Sequence, residues 1–333
     1  MTEQANDTAA KPHSSHWGAF SGQWLDGKLV ITPHPIDPDP NPIIQNFPEA
    51  LRHKARIAKP MVRRGWLENG PGKDDRRGRD AFVELEWDEV LDLLTGELKR
   101  VKDKHGAGAI FGGSYGWSSA GRFHHAQSQV HRFLNMALGG YVRSVNSYSA
   151  GASAVLIPHI LGNYDDLTRC NVGWDEVVEH TDIVLAFGGM NTKNSRVAGG
   201  GIYALGAIAN YGRRQNAVPI AGLPQGKNGV PEFIPVARIS DMLLNPGTPF
   251  DYNGQRLNYP DIKLVYWAGG NPFHHHQDIN RLRRAFAQVE TLVVHEIAWT
   301  ATARHADIVL PVTMTLERED TAAASRTTCM TSI

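Results

Sequence analysis

Cysteine is nearly missing from this chain: Cys170 and Cys329 are the only two in 333 residues. They make neither a disulfide framework nor a CxxC knuckle, which fits a reducing compartment and leaves no cysteine set to ligate an iron–sulfur cluster. Net charge is missing as well, because 34 basic residues balance 34 acidic ones. No global field therefore draws the chain to DNA or to an anionic membrane. No apolar run approaches the ~20 residues that span a bilayer, and the opening MTEQANDTAAKPHSSHWGAF has no basic n-region, apolar h-region or twin arginine. The expectation is a soluble protein, cytoplasmic if this N-terminus is the native one and periplasmic if it is not, with no nucleic acid and no membrane as partner. The patterns GxGxxG, GxxxxGKS and GxxxxGKT are also lacking, which argues against a plain NAD or ATP site, and YSAGA around Ser149 is not the GxSxG elbow a serine hydrolase would want.

What is present can fill a core: 41% of the residues are hydrophobic, and at ~100–200 residues per domain the length allows about two domains. Residues 1–60, with ITPHPIDPDPNPIIQNFP, read as extended segments and turns running over a surface. WDEVLDLLTGELKRVKDKHG predicts a helix that buries Trp87, Val90, Leu91, Leu94 and Leu98, with Asp88 and Glu89 in its first turn and Gly106 as its stop. GRFHHAQSQVHRFLNMALGG predicts a second helix with Phe123, Ala126, Val130, Phe133 and Leu134 on one face. SAVLIPHILG predicts a third, which Pro158 would kink or end.

AIFGGS, TDIVLAFGGMN, DIKLVYWAGGNP and ADIVLPV read as strands, the apolar ones buried on both faces, and RRAFAQVETLVVHEIAWTATARHADIVLPV repeats the helix-then-strand order. The fold class expected is α/β: a doubly wound, mostly parallel sheet with helices on both faces, preceded by an extended or β N-terminal arm. Ligands of such a sheet sit beyond the carboxyl ends of the strands, the edge that Gly112, Gly188 and Gly269 would line. The charge run RRGRD reads as a solvated loop, and the glycine-rich stretch from Gly199 to Phe233 is unusually long for an ordered connection.

The stretch from Phe111 to Ser149 concentrates the chemistry. A glycine turn at a strand end carries Tyr115 and Trp117, and a second turn, YSAG, carries Ser149. Tyr115 and Trp117 read either as core aromatics or as the wall of a cleft. Ser149 reads either as an ordinary turn or cap serine, or as a nucleophile or metal ligand through its oxygen. The run His274-His275-His276 invites a metal, but adjacent histidines on a regular element point in different directions, so a polar loop at a ligand is the better reading.

The segments GGSYGWSSAGRFHHAQSQVHRFLN, GGYVRSVNSYSAGAS, AFGGMNTKNS, PVARISDMLLNPG, WAGGNPFHHHQDINRL and HEIAWTATARHADIVLPVTMTLERED resemble the dimethyl sulfoxide reductase family of molybdopterin oxidoreductases. The branch is that of biotin sulfoxide and trimethylamine N-oxide reductases, and the resemblance covers most of residues 13–325. It implies molybdenum held by two molybdopterin guanine dinucleotides, with Ser149 as the protein's metal ligand and no iron–sulfur cluster. Hard Mo(VI) suits an anionic oxygen. It implies that the Tyr115 hydroxyl meets substrate, that Trp117 walls the pocket against the cofactor, and that Lys193 and Asn194 lie near the pterins. Asn271, Gln277, Asp278, Glu296 and Asp307 resemble guanosine-diphosphate contacts, a carboxylate matching the N1 and N2 edge of guanine.

The implied reaction is oxygen-atom transfer from an S-oxide or N-oxide to Mo(IV), with an external, cytoplasmic electron donor returning the metal to its starting state. The expected organisation is an arm over 1–75, the two halves of one α/β domain over 76–198 and 236–333, and a glycine-rich deletion junction over 199–235. The family's C-terminal dinucleotide-binding domain is expected to be absent. Weak cofactor retention would follow from that loss, and the alternative to a reductase is an inactive fragment of one.

Overall fold

Four apolar segments of this chain bury both faces of a strand and stack side by side in parallel, as β6 (Ile110–Gly113), β11 (Leu264–Ala268), β12 (Thr291–Glu296) and β13 (Ile308–Pro311). The computed structural model describes residues 9–15, 17–35, 40–113, 125–148, 150–164, 178–183, 185, 223–318, 321–323 and 330–332. Within them β7 (Val142–Val145) and β8 (Phe233–Pro235) extend the parallel sheet at one edge, and β4 (Met61–Arg63) and β5 (Phe82–Glu84) close the other edge antiparallel. The order is β5-β4-β13-β12-β11-β6-β7-β8; outside this sheet lie the hairpin of β9 (Pro249–Tyr252) and β10 (Gln255–Asn258) and the short helices α1 (Phe47–Ala50) and α2 (Arg64–Asn69).

Alternation along the strands divides the core into two layers. Val265, Trp267, Leu292, Val294 and Val309 face α6 (Ile239–Leu244) and α8 (Ile279–Phe286). Leu264, Tyr266, Val293 and Ile308 face α3 (Trp87–His105) and α4 (Ala126–Leu138). The sheet is thus α/β with helices on both faces, as the periodicity predicts. The segment before it forms an antiparallel meander of β1 (Lys11–Ser15), β2 (Gly18–Leu25) and β3 (Lys28–Pro33), with a small core of its own around Phe20, Ile31 and Ile44. No helix among the described residues is long and apolar enough to cross a membrane.

Several local expectations change. Trp87 and Leu91 are each 44% exposed, whereas Val90, Leu94, Glu97, Leu98 and Val101 are buried; both exposed residues lie near the N-terminal end of α3. Phe133 of α4 is likewise exposed while Val130, Leu134 and Leu138 are buried; Phe123 lies outside the described residues. Helix α5 (Gly151–Leu161) runs past Pro158 and stops at Gly162. Around TDIVLAFGGMN, Thr181–Ile183 and Leu185 form no strand, and Ile183 and Leu185 are exposed; the other residues of that segment lie outside the described ones.

The RRGRD run is the largest correction. Arg77 is 3% exposed, and Arg63, at the end of β4, is 1% exposed. Arg63 Nε donates to Asp307 Oδ1 at 2.8 Å, and its Nη1 donates to Asp74 (2.8 Å) and to Asp80. Arg77 donates to both oxygens of Asp307 and to the Phe286 carbonyl. Of the cationic run, Arg76 and Arg79 stay at the surface, where Arg76 pairs with Asp74.

Candidate active site

Chain direction singles out one place on the sheet. From β6 the chain passes through α4 to β7 on one side, whereas from β11 it passes through α8 to β12 on the other. Because β6 and β11 are adjacent and parallel, their carboxyl ends form the topological switch point, where open α/β sheets hold their ligands.

Glycine permits the close packing there. A Cβ on Gly113, the last residue of β6, would stand 2.1 Å from the Trp267 ring, and one on Gly112 would meet Leu134 and Tyr141 at 2.6 Å. Trp267 in turn donates its indole N–H to the carbonyls of Gly269 and Gly270 at 3.0 and 3.2 Å. Those two glycines have φ of 73° and 76°, a left-handed pair that turns the chain sharply off the end of β11.

The turn continues into α7 (Pro272–His275), whose side chains tie it down on both sides. Asn271 accepts from the Thr302 hydroxyl at 2.5 Å, which joins the turn to α9 (Ala301–Arg304), and Phe273 stacks on His305 at 4.3 Å. Gln277 and Asp278 follow, both exposed, with Asp278 capping α8 by accepting from the Arg281 amide at 2.8 Å. Glu296 ends β12 on the same edge; it accepts from the Ile297 amide at 2.8 Å and from the Thr300 hydroxyl at 3.4 Å. Burial holds its carboxyl above the usual carboxylate range.

Asn271, Gln277, Asp278 and Glu296 are therefore all on elements leaving the carboxyl edge. Asp307 is not among them. It precedes β13, at the amino-terminal edge, is fully buried, and accepts from Arg63, Arg77 and the Leu292 amide. Its carboxylate serves the ion cluster that seats residues 61–80 on the sheet. Tyr115, Trp117, Ser149, Lys193 and Asn194, with Gly188, lie outside the described residues.

The histidine run behaves as a polar turn. His274 and His275 are exposed, while His276 is buried with Nε2 2.8 Å from the Ser240 hydroxyl, and burial lowers its pKa. Among the described residues no group of three or more His, Cys, Asp or Glu could hold a metal ion. One polar pair escaped the reading of the sequence: the Tyr266 hydroxyl lies 2.6 Å from His295 Nε2 across β11 and β12, and burial pushes His295 down to about 4 and Tyr266 up. Only the parallel register, Ala268 opposite His295, brings those two side chains together.

Carboxylates that accept N–H donors, an amide, a threonine hydroxyl and a left-handed glycine pair that leaves backbone open to close approach give this edge groups able to hold a polar ligand.

Comparison with known proteins identifies the family. The family model "Molybdopterin oxidoreductase" matches residues 56–209 and 189–330, and "Molybdopterin oxidoreductase N-terminal domain" matches 13–52. Biotin sulfoxide reductase of Cereibacter sphaeroides is 30% identical over 90% of this chain and 61% of its own length. The dimethyl sulfoxide/trimethylamine N-oxide reductase of Rhodobacter capsulatus is 29% identical over 92% and 57%. The trimethylamine-N-oxide reductase of Haemophilus influenzae is 29% identical over 92% and 58%. The chain thus spans somewhat over half the length of the curated relatives it matches. Acetylene hydratase from Pelobacter acetylenicus superposes with a TM-score of 0.49 at 13% identity, covering 95% of this chain and 64% of that one. With both halves of the sheet inside the matched residues, the chain belongs to the molybdopterin oxidoreductase family.

Proposed function

We propose that the chain carries the cofactor-binding sheet of an S-oxide or N-oxide reductase that uses molybdenum bis(molybdopterin guanine dinucleotide). The observation behind this reading is the meeting, beside the switch point, of the turn before Ser149 with the GNPFHHHQD turn: Tyr148 lies against His275 and His276. The relatives named above reduce S-oxides and N-oxides by their names, which supplies the substrate class.

The molybdenum–pterin group, when bound, would supply two-electron oxygen-atom transfer. The chain's own residues would do the rest. Asn271, Gln277, Asp278 and Glu296 would hold the nucleotide at the carboxyl edge, and Lys193 and Asn194 would offset and orient anionic groups nearer the centre. Ser149 would give the metal its protein oxygen. Tyr115 would hold the oxide oxygen by its hydroxyl, and Trp117 would exclude water from one wall.

Purified protein from cells supplied with molybdate should contain molybdenum and guanine nucleotide and should oxidise reduced viologen with biotin sulfoxide, methionine sulfoxide or trimethylamine N-oxide. Ser149→Ala should lower that turnover by more than the ~10–100-fold typical of losing an outer-shell partner. Protein that holds the cofactor and reduces none of these oxides would overturn the substrate assignment.

A further inference from the structure

A group of polar side chains joins two loops that the sequence keeps far apart. His276 is 8% exposed, with Nε2 2.8 Å from Ser240 Oγ and Nδ1 3.4 Å from the Tyr148 hydroxyl. The Tyr148 ring meets His276 edge-on, centroids 6.1 Å apart at 90°, and stacks on His275 at 5.7 Å and 27°. Tyr148 is thus gripped from two sides by consecutive residues of one turn.

The grip rests on a fixed base. Ser240 is 2% exposed on α6, which is anchored in the core by Ile239, Met242 and Leu243. A neutral imidazole offers one N–H and one lone pair, so one hydroxyl donates to His276 and the other accepts from it; either polarity gives the same chain from Ser240 to Tyr148. Near Tyr148 the turn is pinned again. The Ser147 hydroxyl accepts from the Ala150 amide at 3.0 Å, and Asn146, at φ 65°, donates to the Tyr252 hydroxyl at 2.6 Å. Since β7 and β11 flank β6, the Tyr148–His276 tie joins the loops on either side of the switch-point strand.

We propose that His276 is a positioning residue: backed by Ser240 and contacting Tyr148, it fixes the 146–150 turn against the GNPFHHHQD turn and so sets where the side chain at position 149 stands. This rests on the reading of Ser149 as the metal's oxygen ligand, and its test separates the two.

The first readout is hydrogen exchange in the chain purified without molybdate. His276→Phe, which keeps a ring and removes both nitrogens, and Ser240→Ala should quicken exchange of amides 146–151 about tenfold, while β11 and β12 keep wild-type protection. Tyr148→Phe, which removes one partly buried hydroxyl and leaves the fold intact, should give a smaller quickening confined to the same amides. The second readout is the Mo(V) electron paramagnetic resonance signal of protein purified with molybdate, which should shift in His276→Phe and show no further shift when that change is added to Ser149→Ala.

Unchanged exchange at 146–151 in folded Tyr148→Phe and Ser240→Ala would overturn the positioning role, whatever the metal content. Quickened exchange in protein whose Mo(V) signal ignores both Ser149→Ala and His276→Phe would uphold the tether and overturn the ligand role of Ser149.

Discussion

Both oxygens of Asp307 accept from protein donors: Arg63 Nε at 2.8 Å, Arg77 Nη2 at 2.6 Å and the Leu292 amide at 2.8 Å. Two arginines with side chains 2% exposed share this one fully buried carboxylate as their deepest partner. Asp307→Asn keeps the shape but leaves two buried cations short of charge, and breaking such a network costs about 3–5 kcal/mol. Urea unfolding should show that loss as a lower midpoint, whereas Arg76→Ala, at the surface, should leave the midpoint close to wild type. A sequence shows none of this, because Arg63 and Asp307 are 244 positions apart and nothing near either one names its partner.

His295 gives the residue scale its pH dependence. Its pKa falls from 6.5 to about 4 through burial. The unfolded chain therefore binds a proton between those values that the folded one refuses, and stability falls as pH drops from about 6.5 toward 4. The loss should reach about 2–3 kcal/mol at pH 4. Chemical unfolding of wild type and His295→Gln at pH 7 and pH 4 isolates it: the variant is offset at both pH values by the lost Tyr266 contact but should show a shallower fall.

At the scale of elements, short apolar runs were legible, two of them running into glycines. IFGG, LVYWA, TLVVHE and IVLP all became central parallel strands, since a strand buried on both faces needs apolar side chains at every position. TDIVLAFGG shares that signature, but its described residues, 181–183 and 185, form no strand. Asn271, Gln277, Asp278 and Glu296 lie at the carboxyl edge, at or just beyond the ends of β11 and β12. Tyr148, His276 and Ser240 were missed because their contact spans 128 and 36 positions.

Two glycines test opposite element rules. Gly96 sits exposed inside α3 with open space around it, so Gly96→Ala should stabilise by about 0.5–1 kcal/mol, seen as a higher melting temperature. Gly113→Ala would push a methyl into the Trp267 ring, a backbone-fixed overlap that overpacking measurements put at about 1–3 kcal/mol. It should also alter the near-ultraviolet circular dichroism of Trp267, because the indole must leave its bonds to Gly269 and Gly270.

For the whole molecule, the question is how the N-terminal meander stays with the sheet. Its core of Phe20, Ile31 and Ile44 is separate from the two layers flanking the sheet, and Leu316, just beyond β13, packs into it. Gly22 lies so near that a Cβ there would stand 3.2 Å from the Leu316 side chain. Alongside, Arg56 donates to Glu317 at 2.6 Å, and Glu317 accepts from the Met314 amide at 2.7 Å, which holds the 314–317 turn in shape. The apolar contact should outweigh the ion pair, since Arg56 and Glu317 keep 15% and 32% of their side-chain surface exposed and such pairs contribute about 1 kcal/mol or less. Leu316→Ala should therefore quicken hydrogen exchange in residues 18–33 by about tenfold or more, and Arg56→Ala by only a few-fold, while amides of β6, β11 and β12 exchange as in wild type. Equal slowing of the whole chain's refolding with no selective exchange in 18–33 would mean that the meander and the sheet open as one unit, and that the small core around Phe20 has no independent stability.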